Sequence, residues 1–115
     1  MKAYQQAWKH ITVVPAVNFD GKRYTFANVN SDGKGITAAA GEVAIGVIQE
    51  PNNIDEPAQV MAQGVSFIIL GGTVAAGAQV EVGADGKAIA LATGVPVGIC
   101  LVGGVADDIG SVLLK

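Results

Sequence analysis

The feature that most limits what this chain can fold into is a run of short apolar segments, bounded mostly by glycine, that occupies its second half from Pro57 to Leu114. The segments are Ala58–Gln63, Val65–Leu70, Gln79–Val82, Lys87–Leu91, Val97–Val102 and Ser111–Leu114, with Gly64, Gly71-Gly72, Gly83 and Gly103-Gly104 among the residues between them. Pieces of about four to eight residues, rich in Val and Ile and punctuated by Gly, Asp-Gly or Pro, read as strands of a compact antiparallel body rather than as helices. The side chains agree, with 16 Val and 10 Ile against 5 Leu. Branching at Cβ costs rotamer freedom in a helix and packs well on a pleated surface. The fold class expected is all-β.

A chain of 115 residues suits one domain with one core. Its charge is low: 15% of residues are charged, against about 25% in an ordinary soluble domain. A monomer of this composition would leave apolar patches and strand edges in water, so an obligate assembly is expected.

The first third differs from the rest. Tyr4, Trp8, Phe19, Tyr24 and Phe26 are five of the six aromatic residues, and only Phe67 lies beyond them. Residues 1–34 carry a net charge of +3 and residues 35–115 one of −6. The division expected is an N-terminal arm or hairpin over 1–34 and a β body over 35–115, with the arm carrying its own binding task. The alternative is that Trp8, Phe19 and Phe26 pack on the body and the charges are solvated. A nucleic-acid role is disfavoured, because a pI near 4.8 opposes the basic footprint of a dedicated binder.

Three turns share one tripeptide, Asp20-Gly21-Lys22, Asp32-Gly33-Lys34 and Asp85-Gly86-Lys87, and Asp-Gly supplies the positive φ angles of a tight hairpin. Around the first of them, Val17–Phe19 and Arg23–Phe26 are expected to pair as strands. One Asp per turn falls far short of the six to eight oxygens that calcium takes. Gly35–Gly41 reads as a connection and Glu42–Ile48 as a strand whose Gly46 marks a bulge or a close backbone approach. The outline of Val43–Val47 returns at Val95–Ile99 with Gly98 in the place of Gly46; two such strands suit related positions in one sheet, although two short copies do not establish a repeat. Gln49–Pro57, the most polar stretch, is expected as an exposed loop, with Glu50, Asp55 and Glu56 as its acids.

No reaction centre is written in these residues. His10 is the sole histidine and Cys100 the sole cysteine, so one chain cannot assemble a zinc site from several His or Cys ligands or an internal disulfide. Cys100 alternates like a core residue. Ser31, Ser66 and Ser111 lie in no nucleophile elbow, Gly71–Gly77 lacks the Gly-Lys-Ser/Thr of a phosphate loop, and Asp107-Asp108 reads as a solvated pair. Met1–Gln6 has no apolar run behind it, so no secretory signal is expected. Two long uncharged stretches, from Pro57 and from Ala88, are broken by Gly, Gln and Pro in the manner of turns, so no membrane span is expected. No cofactor and no metal are expected.

At Ala39–Ile48, and then through Val60–Gly64, Val74–Val80, Gly83–Lys87 and Val97–Leu101, the chain resembles the capsid decoration, or cement, proteins of tailed bacteriophages, and it is similar also to the related head-fibre group. The resemblance covers roughly residues 35–115 and rests on the order of strands and glycine turns. It implies a small β-sandwich or barrel-like body, with an extended N-terminal arm outside the matching region, usually trimeric and seated on the outer capsid surface, with the major capsid protein as partner and no catalytic residues.

The reading is therefore a virion structural protein, made in the host cytoplasm, that binds an assembled capsid and stabilises it without turnover, with itself as second partner in a homotrimer. Tyr4, Trp8, Lys9, Phe19, Lys22, Arg23, Tyr24 and Phe26 are the expected capsid-binding residues, the aromatics as anchors and the cations for steering. The alternatives are an exposed head-fibre or host-surface adhesion module that uses the Gln49–Pro57 loop, and then a small carbohydrate-binding or enzymatic domain that uses Glu50, Asp55 and Glu56.

Overall fold

A computed structural model of the protein describes residues 3–114. Nine strands form one sheet: β1 (Gln6–Val13), β2 (Phe26–Val29), β3 (Gly35–Thr37), β4 (Gly46–Glu50), β5 (Ala58–Ile69), β6 (Gln79–Val82), β7 (Ala88–Ala90), β8 (Gly98–Val102) and β9 (Ile109–Leu114). Among the described residues the one helical piece is a 3-10 turn at Ala84–Gly86 between β6 and β7. The fold is all-β, as the Val and Ile content requires.

β5 organises the sheet. Its first half carries β1 on one edge and β4 on the other, and its second half pairs with β9. The strand order is β3-β2-β4-β5-β9-β8-β6-β7, with β1 attached to β5 outside that path, and every ladder is antiparallel. The two ends of the sheet roll toward each other into a half-barrel. The Gly41 N–H donates to the Val82 carbonyl at 2.8 Å, the Val95 N–H to the Gly41 carbonyl at 3.1 Å, and the Gly71 N–H to the Ala88 carbonyl at 2.7 Å.

Alternation along the strands supplies two apolar clusters. Phe26, Val47 and Met61 point into the main one, where they meet Ile68, Val80, Cys100 and Val112 across the roll. Their neighbours Ala27, Ile48 and Val60 point to the opposite face and pack with Val13 and Phe19. The segment after β1 lies over that second face, so neighbouring residues that point to opposite faces, Phe26 and Ala27, Val47 and Ile48, Val60 and Met61, are all buried. Each such large side chain contributes about 1.5–3 kcal/mol on burial.

Four expectations change here. The strand expected over Glu42–Ile48 begins only at Gly46 and runs on to Glu50, into the stretch expected as a loop. Ala58–Gln63 and Val65–Leu70 are one strand, because Gly64 takes φ 120 and carries the chain straight on with a bulge instead of turning it. Gly35–Gly41 begins with β3 rather than serving only as a connection. Asp20-Gly21 does turn, with Gly21 at φ 74 and the Lys22 N–H on the Phe19 carbonyl at 2.8 Å, but no ladder flanks it. Phe19 is drawn into the second cluster, so Val17–Phe19 cannot lie alongside Arg23–Phe26.

Of the two readings open for Gly46, a bulge or a close backbone approach, the close approach is observed, and Gly98 in the equivalent place shares it. A Cβ on Gly46 would run into the Met61 carbonyl, and one on Gly98 would stand 2.7 Å from the Leu113 carbonyl oxygen. Residues 3–34, set apart by charge in the sequence, are built into the same sheet and core through β1, Phe19 and β2; Met1 and Lys2 lie outside the described residues.

Candidate partner-binding surface

β1 is the one long strand exposed on both faces: seven of its eight residues are exposed, and only Val13 is buried. The cause lies in its pairing. Gln6 faces Val65 and Ala7 faces Gly64, but the next partners are Lys9 and Gln63, and after them His10 and Met61. Trp8 is thus an extra residue on β1 and Ala62 a compensating one on β5. Such bulges bend a strand and re-aim a side chain. Trp8 is turned out to 68% exposure, with Tyr4 at 51% and Ile11 at 39% nearby in the chain.

Gly64 makes the bulge possible. A Cβ there would run into the Gln6 carbonyl oxygen and stand 2.7 Å from the Trp8 nitrogen, at a φ that side chains rarely adopt. The strand is also tied down ahead of the bulge. The Tyr4 N–H donates to Ser111 Oγ at 2.7 Å, and the Ser111 hydroxyl donates back to the Tyr4 carbonyl at 2.6 Å. Gln5 Oε1 accepts the Phe67 N–H at 3.0 Å. Tyr4 and Trp8 are therefore exposed aromatics on a backbone held from β5 and β9, which lowers the entropy lost when they meet a partner. Lys9, exposed, brings a positive charge to this strip on an acidic protein.

The other expected contact residues separate from these. Phe19 and Phe26 are fully buried, one in each cluster, so they hold the fold and present nothing to a partner. Tyr24, at φ 64, sets its ring edge-on to Phe67 with centroids 5.3 Å apart. Arg23 is engaged within the chain: its Nε donates to the Gln49 carbonyl at 2.9 Å, its guanidinium lies 3.5 Å from Glu50, and its Cζ is 5.8 Å from the centre of the Tyr24 ring. Lys22 is half-buried, and its carbonyl accepts the Thr25 hydroxyl at 2.6 Å. Only Tyr4, Trp8 and Lys9 of the eight share one exposed strip.

The acids of the Gln49–Pro57 region do not converge: Glu50 faces Arg23, and Asp55 faces Lys34 at 3.4 Å, both exposed pairs worth little. Among the described residues no three His, Cys, Asp or Glu side chains are grouped to hold a metal ion, and no helix is long and apolar enough to cross a membrane. Cys100 is buried in the main cluster, and desolvation pushes its thiol pKa up, which disfavours the nucleophilic thiolate. One charged group was missed in the sequence. Glu81 is 4% exposed, and its Oε1 accepts the backbone N–H groups of Ala92 and Gly94, so that a carboxylate pins the loop between β7 and β8. Alternation along Gln79–Val82 groups Glu81 with the exposed Gln79, so the sequence carried no signal for its burial.

No protein-family model and no curated protein sequence matches the chain. Its fold is similar to that of the N base of the head fibre gp8.5 of bacteriophage phi29, with a TM-score of 0.72 over 93% of each chain and 16% sequence identity.

Proposed function

We propose that this protein is a structural component of a bacteriophage virion that sits on the outer surface of the capsid, binds the major capsid protein and stabilises the shell without catalysis. The observation that carries the reading is the likeness of fold to a head-fibre base over 93% of both chains. The low charge and the exposed aromatics Trp8 on β1 and Tyr4 just ahead of it support it from the chain itself. A protein that binds the assembled lattice and not its separated subunits stabilises the lattice by mass action, about 2.7 kcal/mol per site at a concentration a hundredfold above Kd. Trp8 and Tyr4 act as anchors, Lys9 steers, and the homotrimer places three such strips on one particle site.

A second reading, favoured by the neighbour being the base of a head fibre, makes the chain the foot of an exposed fibre. Both readings share the capsid contact and differ in what the protein carries outward. Co-sedimentation with undecorated capsids tests the contact. Wild type should pellet with the particles, and Trp8→Ala should bind about 30-fold more weakly, the loss of roughly 2 kcal/mol typical of an aromatic hot spot. Its melting should stay within about 0.5 kcal/mol of wild type, because Trp8 lies on the surface. Failure of wild type to pellet would remove the capsid reading; full binding by Trp8→Ala and Tyr4→Ala would move the contact off β1.

A further inference from the structure

The hydrogen-bond pattern of the chain occurs twice. β2 pairs with β3 through Ala27–Thr37, Asn28–Ile36 and Val29–Gly35, and β6 pairs with β7 through Val80–Ala90, Glu81–Ile89 and Val82–Ala88. Each residue of the second set stands 53 positions after its counterpart. The same holds beyond the hairpins, with an offset of 52 once Val43 is passed. Ala27 opposite Gly46 becomes Val80 opposite Gly98, and Ile48 opposite Val60 becomes Cys100 opposite Val112. Even the irregularities recur: β4 slips against β5 after Ile48, and β8 slips against β9 after Cys100.

The loops match as well, with an offset of 55 for the residues ahead of β2. Phe19 N–H to Asn52 carbonyl is matched by Val74 N–H to Gly104 carbonyl, and Asp55 N–H to Pro15 carbonyl by Asp107 N–H to Leu70 carbonyl. The isolated parallel bridge from Pro15 to Gly35 is matched by the one from Leu70 to Ala88. Asp55 and Asp107 both take left-handed backbone, at φ 64 and 70, and each pairs with the lysine of its own hairpin, Lys34 at 3.4 Å and Lys87 at 2.9 Å. Over residues 26–42 against 79–95, seven positions are identical: Val29, Asp32, Gly33, Lys34, Ile36, Ala39 and Gly41.

From this we infer that the protein is a tandem duplication of one five-strand unit, residues 10–62 and 65–114, with β5 serving as the closing strand of the first and the lead strand of the second. That double duty explains why β5, at 12 residues, is the longest strand. One antiparallel ladder would follow from common architecture, but matched bulges, a matched left-handed Asp and a matched ion pair have no reason to coincide in unrelated halves. The copies meet at Gly41 and Gly94, equivalent residues packed so closely that a Cβ on Gly94 would stand 2.7 Å from the Gly41 Cα. They diverge where their surroundings differ: Phe19 fills the first unit's core in the place where the second unit has Val74.

Amide hydrogen exchange on the intact wild-type chain and a graft test the inference together. Equivalent amides (Phe19 and Val74, Ile45 and Val97, Ile48 and Cys100, Asp55 and Asp107) should show protection in pairs. Placing Ile45–Ile48 at their equivalent positions, as Val97→Ile/Ile99→Val/Cys100→Ile, should keep cooperative unfolding. The same four residues placed one position later, as Gly98→Ile/Ile99→Gly/Cys100→Val/Leu101→Ile, should abolish it. Protection in one member of most pairs and free exchange in the other would overturn the inference, as would an in-register graft no more stable than the shifted one.

Discussion

Gly64→Ala separates the bulge that presents Trp8 from the fold that carries it. The added Cβ meets the Gln6 carbonyl oxygen and the Trp8 nitrogen, both backbone atoms that cannot swing aside, and the φ of 120 is itself unfavourable to alanine. Backbone strain of this kind costs about 1–3 kcal/mol. Moving β1 away to relieve the overlap gives up ladder hydrogen bonds around the bulge at about 1 kcal/mol each. A loss of about 3 kcal/mol results, which for a domain near this size lowers Tm by roughly 10–15 °C. Trp8 is the only tryptophan, so its fluorescence anisotropy reports β1 alone. The expected result is a lower Tm, a lower anisotropy at temperatures where the body is still folded by circular dichroism, and a loss of capsid binding parallel to that of Trp8→Ala. Unchanged Tm and anisotropy would refute the account of how the bulge is held.

Phe19→Ala should cost about 3–5 kcal/mol in urea titrations, because it empties the second cluster; a surface-like loss under 1 kcal/mol would return Phe19 to the partner-facing set. Glu81→Ala should destabilise by about 2–4 kcal/mol, leaving two amides without their charged acceptor, whereas Glu81→Gln, which keeps an oxygen in place, should recover most of it; equal losses in calorimetry would show that charge, not the acceptor, holds the loop. Cys100→Ser should lose about 1–3 kcal/mol for an unpartnered buried hydroxyl while the folded variant still binds capsids. The native thiol, with its pKa raised by burial, should react with thiol reagents only as fast as the main cluster opens, at neutral and at mildly alkaline pH alike.

Much of this architecture is local and was therefore legible. Val and Ile alternation with Gly and Asp-Gly punctuation marks β6, β7, β8 and β9 within a residue or two, because strand period and turn geometry depend on neighbours in the chain. Gly46 was legible as a special backbone position, a bulge or a close approach, but its partner, the Met61 backbone fifteen residues on, was not. The candidate site was legible only in part. Composition singled out Tyr4 and Trp8 together with Phe19 and Phe26, and hydrophobicity alone does not sort such residues into exposed and buried. What sorts them is which sheet face remains open once the strands pair: Phe26 falls on the rolled inner face, Phe19 reaches the outer face of β2, β4 and β5, and Trp8 is left over by a bulge.

The sequence by itself determined an all-β chain, its turns and most of its strands, because these follow from propensities and spacings within a few residues. Only the tertiary structure decided that Gly64 continues a strand instead of ending it, that Glu81 is buried on backbone amides, and that β1 lies along β5. Those outcomes depend on partners distant in the chain, such as Gly64 against Ala7 and Tyr4 against Ser111. The free energy of such contacts exists only after the sheet has rolled, so no window of neighbouring residues contains it.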